Sequence, residues 1–168
     1  MGYDDLFEKI RRIHDDCHTL CQHAFGRYYP VSGNVGIFCQ SEEEYKSLTQ
    51  LRERFTEPSD NPNRKYFKLI EPITVLTEDS IPEANYTYLY IRQPDPSPYG
   101  NHTGDIDFIL EQDDYDELKK RIKQNPVAGV QMYDRPGWDT LQITNPAIDA
   151  VAYISTLEMA EKARIKFD

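Results

Sequence analysis

The strongest constraint on this chain is that it repeats itself. Gly33-Asn34-Val35-Gly36-Ile37-Phe38-Cys39 and Gly104-Asp105-Ile106-Asp107-Phe108-Ile109-Leu110 share one pattern: a glycine, a polar residue, then alternating apolar positions. Each is followed by an acidic cluster, Glu42-Glu43-Glu44 and Asp113-Asp114, and then by a Tyr-x-x-Leu pair, Tyr45/Leu48 and Tyr115/Leu118. Acidic residues complement the positive end of a helix, so each copy reads as a strand feeding a helix N-terminus. A later pair extends the match: Tyr88-Leu89-Tyr90-Ile91-Arg92-Gln93-Pro94 lines up with Thr140-Leu141-Gln142-Ile143-Thr144-Asn145-Pro146, sharing Leu-x-Ile and a closing amide-proline. Self-similarity of this kind marks one supersecondary unit used twice.

The rest of the chain arranges itself around the repeat. Leu6, Ile10, Ile13, Cys17, Leu20 and Ala24 recur at helical spacing, so residues 1–26 form an amphipathic N-terminal helix ending near Gly26. The first module spans 33–94 and the second 104–156, with the Pro-rich stretch 95–103 as linker and a C-terminal helix at 157–168. Further strands are expected at Tyr66 to Leu76, Val130 to Arg135 and Ala150 to Ser155, with a turn at Arg135-Pro136-Gly137. The expected fold class is α+β: two tandem βαβββ-like modules forming a curved mixed sheet in one domain, 168 residues being enough for a single core.

Charge narrows the partners. With 29 acidic against 19 basic residues the net charge is −10, and there is no basic cluster beyond short mixtures such as Lys119-Lys120-Arg121, which follows Asp116 and Glu117 as helical ion pairs would. Nucleic acid and anionic membrane surfaces are therefore not expected partners. No apolar run is long enough to span a bilayer, and Gly2-Tyr3-Asp4-Asp5 does not open a signal peptide. Three cysteines do not build a disulfide framework, so the expected location is a reducing cytoplasm and the sequons at Asn85 and Asn101 are chance matches.

Alternation along the strands sorts the side chains by face. Val35, Ile37, Cys39, Ile106, Phe108, Leu110, Leu89, Ile91, Leu141 and Ile143 form apolar sides suited to packing beneath helices. The opposite sides carry Asn34, Asp105, Asp107, Tyr88, Tyr90, Arg92, Thr140 and Gln142. If both copies curl into one sheet, these groups converge on a concave surface. That surface is either one solvated sheet face or a small-molecule cleft, with Arg92 as anion anchor, Tyr88 and Tyr90 as walls, and Asn34, Asp105, Asp107 and Gln142 as hydrogen-bonding partners.

Two further clusters carry metal or acid–base chemistry on paper. His102-x-x-Asp105-x-Asp107 offers an imidazole and two carboxylates, either a facial divalent-metal site or a loop with a neutralised aspartate. His14, Cys17, His18 and Cys21 lie along one side of the first helix, with His23 as a further candidate, although Cys17 also belongs to the apolar stripe. Trp138, the only tryptophan, either caps a pocket or covers the end of a core. There is no glycine-rich phosphate loop, no Gly-x-Gly-x-x-Gly, no Gly-x-Ser-x-Gly and no His-Glu-x-x-His, so no nucleotide cofactor is expected.

The tandem strand–helix modules over residues 33–146 resemble the vicinal oxygen chelate superfamily, which includes glyoxalases and extradiol dioxygenases. In that family histidines on the first strands and glutamates on later strands hold one divalent metal. The resemblance places these positions on Asn34 and Asp105, and on Tyr90 and Gln142. One carboxylate, two amides and a phenol make no conventional metal quartet. Three readings follow: a metal-free module binding a small polar or anionic molecule; a lyase, isomerase or hydrolase with a metal at His102, Asp105 and Asp107; or an interaction protein forming a homodimer through its terminal helices.

Overall fold

The computed structural model describes residues 2–77, 79–135 and 138–166, and for 134, 135, 138 and 163–166 it describes the backbone alone. Helix α1 (Tyr3–Phe25) leads into strand β1 (Val31–Phe38) and helix α2 (Glu42–Arg52), followed by β2 (Tyr66–Val75) and β3 (Ala84–Arg92). A short 3₁₀ turn (Pro98–Asn101) precedes β4 (Gly104–Ile109), α3 (Gln112–Gln124), β5 (Val130–Arg135), β6 (Trp138–Asn145), β7 (Ile148–Ser155) and α4 (Leu157–Lys166). The seven strands form one mixed sheet in the order β2-β3-β1-β4-β7-β6-β5.

Local chemistry accounts for the helix boundaries. Ser41 caps α2 by accepting from the Glu44 amide, while the Glu44 carboxylate accepts from the Gln40 amide, so two otherwise orphaned donors are satisfied. Helix α1 stops at Gly26, whose left-handed φ of 72° an L-residue adopts only with strain. Its apolar stripe, Leu6, Ile10, Ile13, Cys17 and Leu20, is fully buried, and α1 packs across β7, β4, β6 and β1. The stripe is thus consumed within the chain's own core. Val35, Ile37, Leu89, Ile106, Phe108, Leu141, Ile143, Ala152 and Ile154 meet it from the sheet. Helix α4 packs on β6 and β4.

The two copies meet edge to edge. Strands β1 and β4 pair antiparallel with Val35 opposite Ile106, Gly36 opposite Asp105 and Ile37 opposite Gly104. Val35 and Ile106 are also equivalent positions of the sequence repeat. An antiparallel pair can be both equivalent and opposite only about a local two-fold axis, which here passes between these two residues.

Strand order also corrects the alignment of the later strands. Within the second copy β4 runs parallel to β7, and within the first β1 runs parallel to β3. The counterpart of β3 is therefore β7, not β6, and β2 corresponds to β6. The Leu-x-Ile shared by β3 and β6 reflects the alternation that any strand with one buried face displays. The first copy also lacks a full counterpart of β5. In its place the chain near Thr56 makes a single antiparallel bridge to Leu69 on β2.

Strand β3 carries an irregularity of its own. Ala84 and Tyr86 are buried at its start and Leu89 and Ile91 at its end, so the inward parity switches between 86 and 89. Gly33, with φ of 111°, faces the switch across β1, and a side chain there would run into Thr87. The switch turns Tyr86 toward α1 and leaves Tyr90 and Arg92 on the opposite face.

Candidate functional site

The face of the sheet away from α1 encloses a hollow of about 1020 Å³ that extends to residues of α2 and of the 62–67 segment. Its floor is the central strand β4. Asp105 and Asp107, two residues apart on one strand, both project into it. Gly36 lies opposite Asp105 on β1, and a methyl group there would collide with the Asp105 carboxylate, with Cγ 3.3 Å away. The missing side chain is what leaves room for the carboxylate. Asn34, 2% exposed, donates through Nδ2 to Asp107 Oδ2 at 3.2 Å, while its own Oδ1 has no hydrogen-bond partner among the described residues.

Flanking strands supply the walls. Tyr90 and Arg92 come from β3, Tyr66 from β2, Tyr153 from β7, Thr140 and Gln142 from β6, and Tyr99 from the turn before β4. The Tyr66 and Tyr90 rings lie 5.2 Å apart between centroids. Along the other wall the Tyr133 hydroxyl donates to Gln142 Oε1 at 3.2 Å, Gln142 Nε2 donates to the Tyr153 hydroxyl at 3.2 Å, and Tyr153 and Tyr99 share a short hydroxyl–hydroxyl contact. Ala160 of α4 closes this side.

Electrostatics divides these groups sharply. Burial pushes Asp105 well above the usual carboxylate range; the neighbouring Asp107 charge adds to the shift and Arg92 opposes it. Burial also raises Asp107, less far, because the Asn34 amide favours its ionised form. Burial moves the phenols of Tyr66, Tyr90 and Tyr99 upward and pushes Tyr153 up to about 12, so the walls stay neutral. Arg92 is already engaged: Nη2 lies 2.7 Å from Asp95 Oδ2, and the guanidinium sits 5.0 Å from the Phe38 ring centroid and 4.7 Å from that of Tyr99. Around its floor the hollow thus sets two carboxylates that favour protons, the neutral phenols of Tyr66, Tyr90, Tyr99 and Tyr153, and Arg92 with its counter-ion, while Arg52, Arg64 and Lys65 line its α2 and 62–67 side.

Of the residues singled out in the sequence, Tyr90, Arg92, Asp105, Asp107 and Gln142 share this hollow. Asn34 stands beside it through Asp107. Tyr88, next to Asn34 in register and half-buried, is not among the lining residues. His102 is not brought to the two aspartates: it follows the 3₁₀ turn, its ring centroid is 5.7 Å from that of Tyr99, and its carbonyl accepts from Gln40. Tyr66, Tyr99 and Tyr153 are lining residues that strand alternation within the two copies did not single out. Tyr153 was within reach, because it occupies beside Asp107 the place that Tyr90 occupies beside Gly36.

The histidines and cysteines of α1 belong to the core. His14 is fully buried, with Nε2 2.9 Å from the Pro82 carbonyl and Nδ1 2.7 Å from the Tyr86 hydroxyl. The carbonyl requires Nε2 to donate, so Nδ1 accepts from the phenol. His18 pairs through Nδ1 with the His14 carbonyl at 2.8 Å, and the Cys17 thiol donates to the Val151 carbonyl. Among the described residues no three His, Cys, Asp or Glu side chains stand where they could hold a metal ion. This corrects both the His102, Asp105, Asp107 arrangement and the helix-borne cluster. The Trp138 side chain and the Arg135-Pro136-Gly137 turn lie outside the described groups.

No family model matches the sequence, and no curated protein matches it. Among solved structures, a glyoxalase/bleomycin resistance protein/dioxygenase superfamily member from Vibrio splendidus 12B01 aligns at 10% identity, covering 72% of this chain and 96% of its own, with a TM-score of 0.39. No helix among the described residues is long and apolar enough to cross a membrane.

Proposed function

We propose that this chain is a cytoplasmic small-molecule-binding module that receives its ligand in the concave hollow and does so without a metal quartet. The observation that carries this reading is the pair Asp105 and Asp107, two polar groups set into the floor of a roomy hollow, to which a single side-chain hydrogen bond is donated among the described residues. Asn34 Oδ1, buried beside them without a partner among the described residues, costs about 1 to 3 kcal/mol, and a donor on a ligand offsets that cost. The volume lies in the range typical of pockets that enclose a small organic molecule.

The metal-dependent lyase, isomerase or hydrolase reading is the less favoured, because among the described residues no three His, Cys, Asp or Glu side chains gather for a metal. Burial of the α1 stripe likewise counts against a homodimer formed through that helix.

The test is a fragment screen followed by amide shift mapping. Binders should perturb β1, β4 and β7 around Gly36, Asp105 and Tyr153, and the combined variant Asp105→Asn, Asp107→Asn should weaken them. Hits distributed over the outer surface, with the hollow silent, would refute the reading.

A further inference from the structure

The floor of the hollow has an excess of hydrogen-bond acceptors. An ionised carboxylate accepts only, with room for several donors. Asn34 Nδ2 gives one bond to Asp107, and no side chain among the described residues donates to Asp105. Asn34 Oδ1, buried beside them, is a further acceptor without a donor. The phenols of Tyr99 and Tyr153 are committed to each other and to Gln142.

Little positive charge acts on these acceptors: Arg92 is the one cation that opposes the Asp105 shift, while Arg52, Arg64 and Lys65 line the α2 and 62–67 side of the hollow. Arg92 reaches Asp105 only at a distance, since its guanidinium is held by Asp95 and by two aromatic faces. Arg52, at the α2 edge, lies 3.4 Å over the Phe67 ring and donates to Thr56. The walls beside the acceptors are neutral tyrosine rings, whose π faces attract cations.

We propose that the hollow takes an organic cation, a small molecule with a primary ammonium or guanidinium group held between Asp105 and Asp107 and its carbon skeleton against Tyr66 and Tyr90. The inference rests on the small-molecule reading and replaces the anion expected at Arg92. An ammonium brings three donors and one positive charge to a floor with one donating side chain among the described residues and a single distant cation acting on it. Burial raises both carboxylates, and a cation held between them would displace the proton that burial favours.

Three probes of like shape and different charge test it: phenethylammonium, phenethyl alcohol and phenylacetate, each titrated into the full chain at neutral pH with backbone amide shifts as readout. The ammonium should saturate shifts around Asp105 and Asp107 and bind about tenfold or more tighter than the alcohol, with phenylacetate weakest. Asp105→Asn and Asp107→Asn should each erase most of that preference, with thermal unfolding confirming that both variants fold. Equal binding of alcohol and ammonium, tighter binding of phenylacetate, or an ammonium affinity unchanged in both variants would overturn the cation while leaving a binding hollow. Silence of the ammonium in a hollow that neutral or anionic fragments do perturb would overturn it too. Silence of every fragment would remove the hollow's role altogether.

Discussion

Replacing Gly36 by alanine probes the floor of the hollow without touching a charge. The Gly36 backbone is ordinary strand, so alanine fits it without conformational strain and restricts the unfolded chain, a gain of about 0.5 to 1 kcal/mol. Against that gain, the new methyl group meets the Asp105 carboxylate, with Cγ at 3.3 Å, while the Tyr90 ring at 3.6 Å is in ordinary contact. Asp105 is short and meets the methyl with its Cγ as well as its terminal oxygen, so it clears the methyl only by leaving its rotamer, an overpacking cost of about 1 to 3 kcal/mol. The net expectation is a loss of about 1 kcal/mol, read in urea titration or as a fall of about 2 to 4 °C in Tm for a chain of this size. The decisive measurement is the same substitution in an Asp105→Ala background. With the carboxylate gone the clash is gone, and Gly36→Ala should become neutral or stabilising. A double-mutant cycle should therefore give a coupling of about 1 to 3 kcal/mol. Equal effects of Gly36→Ala in the two backgrounds would refute the placement of Asp105 over Gly36.

Titration gives two predictions of opposite sign. The pKa of Asp105 is raised in the fold, so its favourable contribution is complete below the unfolded carboxylate pKa and is lost as pH rises through the folded value; Asp105→Asn should therefore gain on the wild type as pH rises, and parallel Tm–pH curves would contradict this. His14 is held down to about 4, first by burial, so its contribution is complete above the ordinary histidine pKa and is lost as pH falls from about 6.5 to about 4. That window corresponds to about 3 kcal/mol, and His14→Gln should flatten the stability curve across it. Tyr86→Phe should cost about 1 to 3 kcal/mol at neutral pH, measured by urea titration, because it strands the buried Nδ1 of His14.

How much of this was legible before folding depended on how each residue is placed. Asn34, Asp105 and Asp107 sit on strands whose alternation and repeat are visible in the chain, so their shared face followed from local pattern. The later strands failed because a four-residue match between β3 and β6 could not show that β7 is the strand running parallel beside β4. Tyr66 and Tyr99 reach the hollow through an antiparallel register and a 3₁₀ turn, neither of which leaves a periodic trace. The helix histidines resembled ligands because spacing alone cannot distinguish a metal site from a buried imidazole bonded to a phenol and a carbonyl. Arg92 looked like a free anchor because its partner Asp95 lies in the following loop rather than on a strand.

The local two-fold axis has a consequence of its own. Sites related by it began as equals, yet Asn34 stands where its twin has Asp105, and Gly36 where its twin has Asp107. One half therefore contributes both acids, while the other contributes a vacant space and an amide. A symmetric scaffold carries an asymmetric floor, so a bound molecule meets two unlike ends and settles in one direction. Neither half could assemble that floor alone, and a chain severed between β3 and β4 would have to bring both fragments together before the acids faced anything but solvent.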